Sequence, residues 1–151
     1  VYDGNFKVFI DYAHTPDGLK KTLTTLKELS ENRLVCLFGC GGNRDSDKRS
    51  KMGEISTNIA DFTIITSDNP RFEKPQDIID DIITGVKRGD GKYITIIDRR
   101  EAIKYAIENG EEGDVIVLAG KGHEDYQEIE GKKYPMDERV IIEEIKKELN
   151  L

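Results

Sequence analysis

Four short segments carry the side chains from which a site for a small, multiply charged molecule can be built: residues 11–17, 39–47, 68–71 and 120–124. The first reads Asp-Tyr-Ala-His-Thr-Pro-Asp. Thr15 ahead of Pro16 marks a helix start, with threonine as N-cap and proline in the first turn. Capping leaves Asp11 and His14 unaccounted for. A carboxylate at such a point can accept from ribose hydroxyls, and an imidazole can stack on a base or contact a phosphate. Residues 39–45, Gly-Cys-Gly-Gly-Asn-Arg-Asp, miss the dinucleotide fingerprint because Arg44 stands where a third glycine is required. They read either as a solvated turn or as a loop whose glycines let backbone approach a ligand, with Arg44 projecting from it. Turn chemistry explains Asp68, Asn69 and Pro70 but not Arg71. Residues 119–124, Ala-Gly-Lys-Gly-His-Glu, are by themselves a glycine loop with charges.

Several chemistries are excluded by what these segments lack. Gly-x4-Gly-Lys-Ser/Thr occurs nowhere, so the chain has no phosphate-binding P-loop of its own. No Gly-x-Ser-x-Gly elbow supports a serine hydrolase. A metal site from His14, His123, Cys36 and Cys40 is disfavoured, since both cysteines lie in one apolar segment with no second pair at ligand spacing. No metal is therefore expected. Along a strand these cysteines are too far apart to bridge, which fits reduced thiols in a cytoplasmic protein. The net charge of −7 argues against nucleic acid or an anionic membrane as partner. No apolar run is long enough to span a bilayer, and no signal peptide is evident.

The elements that must position these loops follow from periodicity. Short apolar runs rich in β-branched and aromatic residues, at 6–11, 34–40, 61–67, 93–98 and 114–119, predict strands. Helical spacing appears in Leu19, Leu23, Leu26 and Leu29, in Ile78, Ile79, Ile82, Ile83 and Val86, and in Ala102, Ile103, Ala106 and Ile107. A weaker helix covers 48–60. Apolar strands alternating with amphipathic helices predict an α/β, Rossmann-like three-layer domain with a mostly parallel sheet. Residues 126–134 read as an antiparallel edge hairpin turning at Glu130-Gly131, followed by a final helix near 137–149. The 151 residues suffice for one domain core, and a domain boundary is expected just before Val1, because a strand starts almost at once. Ligands of open α/β sheets gather at the carboxyl ends of the strands. All four polar segments fall there.

In order, DYAHTPDGL (11–19), FGCGGNRD (38–45) with Lys48-Arg49, TSDNPR (66–71) with Glu73 and Pro75, IDRREAI (97–103) and AGKGHEDYQ (119–127) resemble the C-terminal domain of the Mur ligases, and among them the MurE type. The five stretches span nearly the whole chain. One departure is that Glu138 precedes Arg139 where the family usually shows arginine before glutamate.

The resemblance implies that residues 1–151 are the C-terminal, amino-acid-binding domain of a three-domain cytoplasmic enzyme of peptidoglycan precursor synthesis, and hence of cell-wall biogenesis, cell shape and division. The N-terminal domain would bind the UDP-sugar, and the central domain would hold the P-loop, ATP and Mg2+. ATP would phosphorylate the D-glutamate carboxylate of UDP-MurNAc-L-Ala-D-Glu, and the amine of the incoming amino acid would attack the acyl phosphate. By position, Asp11, His14 and Asn43 would face ATP. Arg44, Asp68, Asn69, Pro70, Arg71, Gly120 and Glu124 would bind the amino acid. No catalytic residue is implied for this domain alone, and the domain in isolation is expected to be inactive.

These types suit meso-diaminopimelate, whose far end is a zwitterion. Arg71 can grip the distal carboxylate with two hydrogen bonds, while Asp68, Glu124 and the Gly120 carbonyl accept from the ammonium. L-Lysine lacks that carboxylate, and in lysine-adding relatives the arginine of DNPR is typically replaced. Meso-lanthionine would satisfy the same groups. The alternative from another class is a stand-alone binding or regulatory module of the same fold. Cyanophycin synthetase, folylpolyglutamate synthase and the murein-peptide ligases share the architecture but are expected to lack DNPR together with GKGHE.

Overall fold

The computed structural model describes residues 2–43, 46–89 and 91–151. In chain order the elements are β1 (Tyr2–Asp3), β2 (Lys7–Asp11), α1 (Pro16–Leu29), β3 (Leu34–Phe38), α2 (Asp47–Ile59), β4 (Phe62–Ile65), α3 (Pro75–Val86), β5 (Lys92–Thr95), α4 (Arg99–Glu108), β6 (Val115–Ala119), β7 (Tyr126–Ile129), β8 (Lys132–Pro135) and α5 (Glu138–Glu148). The main sheet runs β1-β2-β6-β3-β4-β5. All its pairings are parallel except β1 against β2.

Strands β3 and β6 are buried at every position. A strand inside a parallel sheet has helices on both faces, so neither set of side chains can be polar. On one face Leu19, Leu23 and Leu26 of α1, Met52 of α2 and Ile78, Ile79 and Ile82 of α3 pack on Cys36, Phe38 and Val117. On the other, Ala102, Ile103 and Ala106 of α4 and Ile141, Ile142 and Ile145 of α5 pack on Val35, Leu37, Ile116 and Leu118. Each fully buried Leu or Ile stabilises by about 1.5–3 kcal/mol relative to exposure. The three-layer α/β domain expected from periodicity is the observed one.

The antiparallel hairpin is also present, and its place is now defined. Strands β7 and β8 form a two-stranded sheet of their own, and the antiparallel edge of the main sheet is β1. Glu130 (φ 50°) and Gly131 (φ 80°) both adopt left-handed backbone, as a tight hairpin turn requires. Among the described residues no helix is long and apolar enough to cross a membrane.

Candidate functional site

The loops leaving β2, β3, β4 and β6 meet at Gly120. Its N–H donates to Asp11 O at 3.0 Å. A Cβ at this position would have Asp68 Oδ2, Gly39 O and Ala13 O within 3.9–4.0 Å, so all four loops face one point. Its φ of +111° is a conformation that glycine adopts without strain. The β3 and β4 loops are bonded through Gly42 N to Asn69 O at 2.7 Å. A Cβ on Gly42 would overlap Pro70 O. This glycine therefore lets backbone approach backbone, where the sequence pattern had suggested approach to a ligand.

Lys121 and Asn69 organise the rim. Lys121 is fully buried, and its Nζ donates to Asp68 Oδ1 at 3.2 Å, Asn69 Oδ1 at 3.1 Å and Glu124 Oε1 at 3.3 Å. Burying an ammonium costs far more than this geometry returns unless its charge is answered, and two carboxylates answer it. Asn69 is buried and uses both ends of its amide. Nδ2 donates to Glu124 Oε1 at 3.3 Å, while Oδ1 also accepts from Glu128 N at 2.9 Å. Gln127 Nε2 donates to Asp68 O at 2.8 Å. The hairpin is thus stitched to residues 68–69.

Arg71 is held by the same hairpin. Its N–H donates to Glu128 O at 3.0 Å, its carbonyl accepts from Glu130 N at 2.7 Å, and its φ is +52°. That conformation is uncommon for a residue other than glycine, and the pair of hydrogen bonds maintains it. Nη1 donates to Gly42 O at 3.0 Å and Asn69 O at 3.5 Å, and Nε pairs with Glu128 Oε1 at 3.3 Å. Asp68, Asn69, Arg71, Gly120 and Glu124 accordingly share one rim, with Arg71 and Glu124 both in contact with Asn69. Pro70 supplies the carbonyl against Gly42. Arg44 lies outside the described residues.

At the β2 end, Asp11 Oδ2 accepts from Ala13 N at 2.9 Å and Thr22 Oγ1 at 3.1 Å. His14 is exposed. Its Nδ1 lies 2.8 Å from Tyr12 O, and because a carbonyl only accepts, Nδ1 carries the hydrogen. The Tyr12 and His14 rings are 4.7 Å apart. Thr15 caps α1 through Gly18 N at 3.1 Å, as expected. Asn43 clamps two loops together: its N–H donates to Glu73 Oε2 at 2.6 Å and its Oδ1 accepts from Phe72 N at 3.1 Å.

Beneath the rim lies a charged frame that the sequence pattern did not expose. Arg99, buried at the start of α4, donates to Glu138 Oε2 at 2.9 Å, Ser67 O at 2.9 Å and Ala119 O at 3.1 Å. It ties the ends of β4 and β6 to α5. Buried Arg49 donates to both Glu73 oxygens at 3.2 and 2.6 Å and to Asp81 Oδ2 at 2.9 Å. The Arg49 hydrogen bond, then that of the Asn43 N–H, holds the Glu73 carboxyl below its usual range. Arg49, Arg99, Lys121 and Gln127 fall within the quoted motifs but receive no role from sequence, and Glu128 lies outside them. A local signal for Lys121 is a lysine two residues beyond a fully apolar strand, after Gly120.

Cys36 and Cys40 are free and buried, and burial pushes both thiols up to about 12. Among the described residues no cluster of three or more His, Cys, Asp or Glu could hold a metal ion. A recess of about 600 Å3 opens at the other end of the sheet, lined by Arg33, Thr57, Asp61, Phe62 and Lys92 among others. Its carboxylate, Asp61, is already engaged by Lys27 Nζ and Leu34 N. It offers turn closure, with no convergent recognition groups.

Residues 1–122 match the model of the family described as Mur ligase, glutamate ligase domain. The chain belongs to the Mur ligase family. A UDP-N-acetylmuramoyl-L-alanyl-D-glutamate–2,6-diaminopimelate ligase of Caldanaerobacter subterraneus subsp. tengcongensis is 54% identical over 93% of this chain and 29% of its own length. The ligase of the same name from Aquifex aeolicus is 50% identical over 96% of this chain and 30% of its own length. A solved structure of a ligase of that name superposes with a TM-score of 0.94 at 42% identity, covering all of this chain and 31% of the other. The chain thus spans about 30% of the length of the relatives it matches. The Mur ligase C-terminal fold is that of the observed α/β domain.

Proposed function

We propose that this chain is the amino-acid-presenting domain of a cytoplasmic ATP-dependent ligase that adds meso-diaminopimelate to UDP-MurNAc-L-Ala-D-Glu. The observation that carries this reading is the gathering of one guanidinium, Arg71, and two carboxylates, Asp68 and Glu124, around buried Asn69 and Lys121: Arg71 bonds the Asn69 carbonyl, Glu124 its side-chain amide, and Asp68 the Lys121 ammonium. The distal end of diaminopimelate bears a carboxylate and an ammonium on one carbon, and the rim offers one group for each. Lys121 answers Asp68 Oδ1 and Glu124 Oε1 from below, so the ligand's ammonium takes the other carboxylate oxygens. The names and identity of the relatives support the same substrate.

Asp11 and His14 are proposed to meet ATP when the missing domains close over this one. The exposed imidazole beside Tyr12 suits contact with one side of a nucleotide, and the phosphates and Mg2+ are proposed to belong to a central domain with a P-loop. Asn43 acts on that face through the loop it clamps. Arg44 remains a candidate for a substrate carboxylate on sequence grounds.

A substrate panel with the full-length enzyme tests the reading. Diaminopimelate and lanthionine should be added and lysine poorly so, while residues 1–151 alone should not ligate. Arg71→Ala should lower kcat/KM for diaminopimelate by about 100-fold, the scale of losing hydrogen bonds to a charged group. Unchanged kinetics in that variant remove the assignment of Arg71.

A further inference from the structure

Arg71 is not an empty receptor. Its Nη1 is spent on Gly42 O and Asn69 O, which leaves the Nε/Nη2 edge as the one that can receive a carboxylate. A carboxylate already lies against that edge: Glu128 Oε1 is 3.3 Å from Nε, an ion pair without an aligned hydrogen bond. Among the described residues Nη2 has no hydrogen-bond partner. The two side chains are 18% and 26% exposed, so the pair is sheltered yet open to exchange with solvent and ligand. The pairing follows from the fixed register of β7 beside residue 71, set by Arg71 N to Glu128 O and Glu130 N to Arg71 O.

We propose that Glu128 is an internal stand-in for the distal carboxylate of the ligand and thereby sets how strictly the site discriminates. This rests on the reading that Arg71 receives that carboxylate. A dicarboxylic amino acid must displace Glu128 from the guanidinium, which weakens its binding. A ligand without the distal carboxylate leaves Glu128 in place, so Arg71 is never orphaned and the penalty that would exclude lysine is softened. Glu128 therefore lowers affinity for the correct substrate and tolerance is the consequence. Its backbone bonds, N to Asn69 Oδ1 and O from Arg71 N, do not use the side chain, so a substitution leaves the hairpin register intact.

The test measures KM for diaminopimelate, and KM or inhibition constant for lysine, in the full-length ligase and in Glu128→Gln and Glu128→Ala. Removing the internal carboxylate should lower KM for diaminopimelate by about two- to fivefold, the range of a partly exposed ion pair. Lysine should bind equally or more weakly, so the preference widens. In an Arg71→Ala background the same substitutions should have no effect on either ligand, which a merely structural role would not produce. Both ligands weakening together, or no change in the preference, overturns the proposal. A wild-type enzyme that does not add diaminopimelate overturns both this inference and the functional reading. One that adds it, with the preference unmoved by Glu128→Gln, overturns the role of Glu128 alone.

Discussion

Arg99 and Lys121 are both buried at the carboxyl end of the sheet, and they are buried in different ways. Arg99 meets Glu138 and the carbonyls of Ser67 and Ala119, and Arg99 and Glu138 have no exposed side-chain surface. Lys121 lies as deep, but its carboxylate partners Asp68 and Glu124 remain 13% and 23% exposed. The first arrangement is a sealed joint between β4, β6 and α5. The second presents the outer faces of two carboxylates to whatever enters the rim. Of these two buried charges, only Lys121 has carboxylate partners that an incoming ligand can still reach.

This contrast can be broken most decisively at Arg99. Arg99→Met should destabilise residues 1–151 by about 3–5 kcal/mol in urea unfolding, because it leaves Glu138 buried without a counter-ion. Adding Glu138→Leu should recover part of the loss. A change near zero would mean that the joint is not sealed.

Lys121→Met should cost less stability, about 2–3 kcal/mol, since Asp68 and Glu124 can turn toward water. In the full-length enzyme it should raise KM for diaminopimelate more than it lowers kcat. An effect confined to stability would make Lys121 a second Arg99.

Gly42→Ala should destabilise by about 1–2 kcal/mol through its clash with Pro70 O, and should loosen the rim enough to raise KM. Normal stability and KM would show that the two loops can separate freely.

The smallest effect concerns acid. The folded-state pKa of Glu73 is lowered from 4.5, first by Arg49 and then by the Asn43 N–H. Its contribution is therefore fully present above 4.5 and is lost as pH falls through the lowered folded value. Glu73→Gln should be less stable than wild type at pH 7, with the gap closing as the solution is acidified. A gap that widens in acid would have the wrong sign.

Much of this molecule was legible along the chain. Alternation of apolar strands and amphipathic helices announced the three layers, Thr15-Pro16 the start of α1, and Glu130-Gly131 the hairpin turn. Each is a local signal, carried by residues a few positions apart. Strand β1 was missed because two residues have no period. The hairpin's separation from the main sheet was missed because periodicity predicts strands without naming their partners. Arg99 and Arg100 look alike in sequence, yet one is sealed inside and the other pairs with Glu148 at 3.1 Å on the surface. Gly42 belongs to a loop that reads either as a solvated turn or as a ligand approach, and it admits Pro70 O. Arg44, expected at the substrate, lies outside the described residues.

The sequence alone determined the fold class, the family and the polar loops that lie at the carboxyl ends of the strands, since hydrophobic period and motif spacing are properties of neighbouring residues. Tertiary structure decided which groups meet: Lys121 under Asp68 and Glu124, Asn69 between Arg71 and Glu124, and Glu128 on the guanidinium edge. The long-range contacts among them join residues 53 to 59 positions apart, from Lys121 with Asp68 to Asn69 with Glu128. Charge and hydrogen-bond energies act over a few ångströms of space, and only the folded chain sets that distance.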